Sequence, residues 1–341
     1  MPEPRFVVVR LGSLGDIVHT FPAVAALRES YPTAEITWLT HPRWKLLIES
    51  CGLASGIWAV ESRDLNSVRQ AFRHLRETRW DAAIDYQGLW KSATLPFFGG
   101  VKRRIGFSSY TIREFGVPVL YTERVRVVRT HIAEQNGELS ERAGARKIVS
   151  AFNLRVCERD AANVSRQLRA AGIENYIVLS PGGGWRSKCW PADRFGMLCR
   201  KIRDTIGLRC VVNFGPGEQD LAEAVQAASG AAEPLLNNAG LGELMALLRG
   251  AHCIVGGDTG PLHLAIALGT PAVALYGPTD PARNGPYRVP DLTGRTSPDV
   301  VLRTADASTS HKRVAEPDPS MLAIDVDAVF AALQRCLGVA A

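Results

Sequence analysis

A chain of 341 residues that is 46% hydrophobic and 22% charged is normal for a soluble globular protein and favours two domains over one. No apolar run approaches the ~18–20 residues of a membrane span, no signal-peptide layout precedes the first strand, and seven scattered cysteines without a C-x-x-C pair fit reduced thiols in the cytoplasm better than a disulfide framework or zinc site. The net charge of +6 belongs to the first half: residues 1–157 hold 22 Lys and Arg against 15 Asp and Glu, residues 158–341 hold 18 against 19. Such a half suits a phosphorylated substrate or an anionic membrane surface, and a solvated basic face is the plainer reading. Nucleic acid is disfavoured, since there is no zinc finger, RNP pattern or lysine-rich tail.

In chain order, the spacing predicts a strand at Phe6–Arg10, a helix at Ile17–Ser30 and a strand at Ile36–Leu39. A charged amphipathic helix at Leu65–Thr78 and a strand at Ala82–Asp85 follow. Such βαβ alternation implies a parallel sheet covered on both faces. The pattern then restarts with a helix at Cys157–Ala171, a strand at Tyr176–Ser180, a helix at Arg194–Thr205 and a strand at Cys210–Phe214. Helices at Gly217–Ala228 and Leu241–Leu248 lead to a strand at Cys253–Gly256. Residues 289–318, rich in Pro, Ser, Thr and Asp, read as one long loop, and an amphipathic helix at about Asp325–Leu337 closes the chain. The expected fold class is α/β, two doubly wound domains joined near 150–175.

Ligands of open α/β sheets bind beyond the carboxyl ends of the strands, and several of these ends carry unusual residues. Gly12-Ser13-Leu14-Gly15-Asp16 permits a tight turn, with Asp16 at a helix start as either a capping carboxylate or a general base. Its G-x-x-G spacing is not a dinucleotide fingerprint. In Asp85-Tyr86-Gln87-Gly88-Leu89-Trp90-Lys91-Ser92, Gln87 and Lys91 suit hydroxyl and anion recognition, against a plain solvated turn. Three glycines, Gly182, Gly183 and Gly184, precede Arg186 and Lys188, which reads as a diphosphate clamp or a flexible surface loop. Glu218, after Phe214-Gly215-Pro216-Gly217, can accept bonds from ribose hydroxyls or simply begin its helix. The segment IVGGDTGPLHLAIALGTPAVALYGPTDP places Asp258, Thr259 and Gly260 where a strand passes into a helix, with His263 one turn on. A helix start exposes partnerless N–H groups and partial positive charge, so this is an anion site or an ordinary start capped by Asp258 or Thr259. No Asp-x-Asp pair stands at a strand end, no His, Cys and Asp cluster has metal spacing, and there is neither a G-x-S-x-G elbow nor a Walker motif.

Four segments in this order, RLGSLGDIVHTFPA, DYQGLWKSA, GGGWRSKCWP and GGDTGPLHLAIALGTPAVALYGPTDP, resemble the lipopolysaccharide heptosyltransferases of glycosyltransferase family 9. The second is similar to the heptosyltransferase I branch. The resemblance implies a GT-B fold, two Rossmann-like doubly wound parallel-sheet domains facing a cleft. Residues 1–157 would bind the acceptor, 158–320 the nucleotide sugar, and 321–341 would form a helix packing back on the first domain. It implies inverting transfer, without metal or cofactor, of L-glycero-D-manno-heptose from an ADP-heptose donor to the Kdo and inner-core region of lipid A-linked lipopolysaccharide. The enzyme would be cytoplasmic, peripheral on the inner membrane.

Carried over residue by residue, Asp16 is the base and Lys188 contacts the donor phosphate and sugar. Glu218 matches a ribose-binding carboxylate, Asp258, Thr259, Gly260, Leu262 and His263 match the donor-binding segment, and Gly183, Gly184 and Arg186 of the glycine turn are expected beside them at the donor. Gly12, Ser13, Gly15, Gln87, Lys91 and Arg113 are expected at the acceptor. The chain departs from the family at Gly183 and Gly184, where heptosyltransferase I commonly has hydroxyl residues, and over Ser308 to Asp318. The rival readings are a family 9 enzyme with another sugar or acceptor, a non-catalytic nucleotide-binding module, and an NAD-dependent oxidoreductase.

Overall fold

The computed structural model describes residues 3–112, 114–146, 153–288, 299–310 and 316–339. It forms two compact α/β units that divide between Arg155 and Val156. The first holds strands β1 (Arg5–Val9), β2 (Glu35–Thr40), β3 (Gly56–Ala59), β4 (Ala82–Asp85), β5 (Arg104–Phe107) and β6 (Glu123–Val125). All pair in parallel in the order β3-β2-β1-β4-β5-β6. The second holds β7 (Tyr176–Ser180), β8 (Arg209–Asn213), β9 (Leu235–Asn237), β10 (Cys253–Gly257), β11 (Ala272–Tyr276) and β12 (Val300–Arg303), ordered β12-β11-β10-β7-β8-β9. Read from β7, this is the same doubly wound order.

The central strands are apolar throughout because helices cover both sheet faces. Phe6 to Val9 are buried and pair with Ile36–Leu39 on one side and Ala82–Asp85 on the other. In each unit the strand order reverses beside the first strand, between β1 and β4 and between β7 and β10. Ligands of doubly wound sheets bind beyond the carboxyl ends at such switch points.

Two expectations are corrected. The helix expected at Ile17–Ser30 is two helices, Leu14–Val18 and Phe21–Ser30. Pro22 cannot donate into a continuing helix and instead starts the second one. The stretch read as loop over 289–318 contains β12, which pairs Val300 with Val273 and Leu302 with Leu275. Its short apolar run is half-buried at the sheet edge, so it lacks the length of a central strand. Residues 289–298 and 311–315 of that stretch lie outside the described residues. The closing helix, Val326–Leu337, packs into the core of the second unit. Val329, Phe330, Ala332, Leu333 and Cys336 join the core that holds Trp190 and Phe195, and the Trp190 indole N–H donates to the Ile324 carbonyl at 2.8 Å.

Candidate active site

At the switch point of the first sheet, the chain leaves β1 through Arg10 and turns over Gly12 into the helix Leu14–Val18. Arg10 is buried, and its guanidinium donates to Asp16 Oδ1 at 2.7 Å and to the Tyr86 carbonyl. The Ser13 backbone N–H and hydroxyl donate to Asp16 Oδ2 at 3.0 and 2.9 Å. Asp16 therefore does cap its own helix, as the plainer reading held. Its carboxylate nevertheless stays 43% exposed, held in one orientation with an edge in solvent. Gly15 is buried, and a Cβ on Gly12 would stand 2.9 Å from the Trp44 indole nitrogen.

Gln87 lies beside this turn, where its amide oxygen accepts the Leu11 N–H at 2.7 Å. It braces two strand ends, which leaves its NH2 as the group able to meet a hydroxyl. The turn is anchored by Asp85, whose carboxylate accepts from the Gln87 and Gly88 N–H groups at 2.9 and 3.2 Å and from the Ser92 and Tyr121 hydroxyls at 2.9 and 2.7 Å. Burial pushes the Asp85 carboxyl above its ordinary range, and these four donors oppose that. Lys91 stands exposed in the first turn of the helix Trp90–Phe98, and Arg113 lies outside the described residues.

At the switch point of the second sheet, the turns after β7, β8 and β10 converge. Lys188, in the short 3-10 turn Arg186–Lys188, donates to Asp258 Oδ2 at 2.7 Å, with its ammonium 4.5 Å from the centre of the Trp185 ring. The His263 Nε2 donates to Asp258 Oδ1 at 2.9 Å. Burial by itself would raise the Asp258 carboxyl. The hydrogen bond and charge of His263 and then the Lys188 ammonium outweigh it, holding the group well below the usual carboxylate range. Asp258 thus fixes two cation-capable side chains, and Lys188 is a braced cation and not a loose point charge.

Neither Asp258 nor Thr259 caps the helix Gly260–Ala267, which corrects the plainer reading of this start. Pro261 has no N–H, so the first turn presents the N–H groups of Gly260 and Leu262 without intrahelical acceptors. The Leu262 side chain is fully buried, so only its backbone can meet a ligand. The Thr259 hydroxyl is buried and makes no hydrogen bond among the described residues. A Cβ on Gly183 would stand 3.3 Å from the Thr259 methyl, whereas Gly184 faces open space and Arg186 is exposed. Glu218 accepts the Gly215 N–H at 2.8 Å, and a Cβ on Gly182 would collide with its carboxylate. The glycines therefore let three turns share one small volume.

Among the described residues no three His, Cys, Asp or Glu side chains are grouped to hold a metal, and no helix is long and apolar enough to cross a membrane. A cavity of about 660 Å³ lined by Arg209, Gln226, Glu233 and Leu235 opens at the amino ends of β8 and β9, the edge opposite Glu218. The charged side chains and glycine turns described above gather at the carboxyl edge, away from this cavity. Arg10, Trp44 and Trp185 were not anticipated as partners of the site. An arginine directly after an apolar strand was the available signal for Arg10, while nothing in the sequence singled out the two tryptophans.

Two doubly wound sheets in one chain, each with fixed charges and glycine turns at its switch point, make this an α/β protein of the GT-B class. Residues 68–295, two thirds of the chain, match the family model described as Glycosyltransferase family 9 (heptosyltransferase). Lipopolysaccharide heptosyltransferase 1 of Escherichia coli K12 is 29% identical over 83% of this chain and 91% of its own. Lipopolysaccharide heptosyltransferase 3 of the same strain is 26% identical over 78% of this chain and 80% of its own. A solved E. coli heptosyltransferase with ADP superposes with a TM-score of 0.74 at 22% identity, over 97% of this chain and 99% of that one. The chain belongs to glycosyltransferase family 9, and it is a glycosyltransferase. The family match contains Gln87, Lys188, Glu218, Asp258 and His263, and it begins after Asp16.

Proposed function

We propose that the protein transfers L-glycero-D-manno-heptose from ADP-heptose to the Kdo and inner-core region of a lipid A-linked acceptor, by a single inverting displacement that needs no metal. The observation that carries this reading is the uncapped helix start at Thr259, with its partnerless buried hydroxyl, beside a lysine that Asp258 holds in place. That combination offers hydrogen-bond donors and positive charge to a diphosphate.

In the reaction, Asp16 accepts the proton of the acceptor hydroxyl, whose oxygen attacks the anomeric carbon as the bond to the diphosphate oxygen breaks. Arg10 and Ser13 position the Asp16 carboxylate. The departing negative charge is met by Lys188, Arg186 and the N–H groups of Gly260 and Leu262. Glu218 accepts from the ribose hydroxyls. Gly183 and Gly184 bring backbone N–H groups to the phosphates where side-chain hydroxyls serve in heptosyltransferase I. Gly12, Ser13, Gly15, Gln87, Lys91 and Arg113 serve the acceptor.

A family 9 enzyme with another sugar is the second reading, favoured by those two glycines. Thermal-shift titration with ADP, ADP-heptose, UDP and NAD tests the donor class. Stabilisation by ADP and ADP-heptose alone is expected, and Lys188→Ala should remove most of it. Equal stabilisation by UDP, or a response to NAD only, would overturn the assignment.

A further inference from the structure

Two tryptophans follow the glycine turn after β7, and they differ. Trp190 is buried in the core, with its indole N–H on the Ile324 carbonyl. Trp185 stays half-exposed, and its ring centre lies 4.5 Å from the Lys188 ammonium. The turn between them is held by other groups. The Lys188 and Cys189 N–H groups donate to the Trp185 and Arg186 carbonyls at 3.1 and 2.9 Å, and the Ser187 carbonyl accepts the Asp318 N–H at 3.1 Å. Gly257 lets the Lys188 carbonyl pack on the end of β10, where a Cβ would stand 2.9 Å from it. These backbone contacts leave the shape of the turn independent of the Trp185 side chain, whose ring faces the lysine.

An ammonium that serves an anion has to be held without being neutralised. Asp258 Oδ2 takes one N–H of Lys188 at 2.7 Å and offsets part of its charge. A second carboxylate would fix the lysine further and leave little charge for a phosphate. An aromatic face does otherwise. Its quadrupole attracts the cation, keeps water from one side of it and adds no net charge. A lysine side chain also has large rotamer freedom, and freedom lost before a ligand arrives is not lost again on binding. The ammonium has three donors. With the carboxylate and the ring on two sides, it can still donate to an anion at the start of Gly260–Ala267, which Gly183 and Thr259 border.

We infer that Trp185 is a positioning residue for the donor diphosphate: its indole face seats the Lys188 ammonium, and the nucleotide gains affinity through that seat. This rests on the reading that Lys188 meets a diphosphate. The ring acts through the lysine, so removing its π-face weakens diphosphate binding only while Lys188 is present.

The test is a double-mutant cycle on the full chain, read as the Kd of ADP by calorimetry, with wild type, Trp185→Leu, Lys188→Ala and the two together. Leucine keeps apolar bulk and lacks the quadrupole. Trp185→Leu raises the Kd by roughly three- to thirtyfold, and Trp185→Phe recovers most of that loss. Trp185→Gln, which is polar at this half-exposed site, repeats the loss seen with leucine. The melting temperature without ligand stays at the wild-type value in all three. In the Lys188→Ala background, Trp185→Leu has no further effect. An equal loss in both backgrounds means that the ring props the turn or touches the nucleotide itself, and it overturns the proposal. So does a Phe variant as weak as the Leu variant, or a Leu variant that binds like wild type. Inorganic pyrophosphate, titrated into the same four proteins, separates this role from the donor reading. The same pattern with pyrophosphate, in a protein that ignores ADP, would sink the adenine nucleotide as donor while leaving the seat of Lys188 standing. A wild type that binds neither overturns both.

Discussion

Asp258 carries the second unit's site. Its carboxylate holds Lys188 by one oxygen and His263 by the other, in a place where an unpaired charge is costly. Asp258→Asn should lower unfolding stability at neutral pH by about 1–3 kcal/mol, since Lys188 can recover some hydration. The folded-state carboxyl is held below its unfolded value, so its contribution is fully present above roughly pH 4 and is lost as pH falls through the folded value. Urea titrations should therefore show a constant gap between wild type and variant from pH 7 to 5 that closes in stronger acid. A gap that widens on acidification would contradict this account of the triad.

Residue types at strand ends were legible in the sequence, and their partners were not. Lys188 was recognisable as a cation near a glycine run, but the bond to Asp258, 70 residues later, follows from β7 and β10 lying side by side. Gln87 was legible as a polar turn residue. That its carbonyl is taken by Leu11 depends on β1 and β4 pairing.

At the level of elements, what announced itself was whatever is buried on both faces. Tyr176–Ser180 and Ala82–Asp85 were placed to the residue because central parallel strands are unbroken apolar runs. Edge strands such as β3 and β12 are short and only half-buried, and they have no such signature. The start of Gly260–Ala267 was ambiguous for another reason. A cap and an anion site use the same residue types, and only the absence of a side-chain cap separates them.

The closing helix shows what an amphipathic pattern leaves open. Its amphipathic pattern was plain, but the core that receives its apolar face is set by contacts with Trp190, Phe195 and strands β11 and β12. Leu333 is fully buried there, so Leu333→Ala should cost about 2–5 kcal/mol. Limited proteolysis with domain-resolved fragments should show the second unit opening first. Destabilisation confined to the first unit would contradict this placement.

Over the whole molecule, two units of the same strand order carry different side chains at their switch points. The first carries the basic excess and the oriented carboxylate of Asp16. The second carries the braced cation and the uncapped helix start. The family match reaches the second set of residues and stops short of Asp16, so the base is the part of the mechanism most in need of direct test. The most direct measurement is mass spectrometry of a Kdo-lipid A acceptor after incubation with ADP-heptose and either wild type or Asp16→Asn. Wild type should add the mass of one heptose. The variant should be slower by a factor of about 10²–10⁴ while binding ADP normally, the loss expected when a general base is removed. Near-wild-type addition by Asp16→Asn, or no addition from ADP-heptose by wild type, would contradict the account.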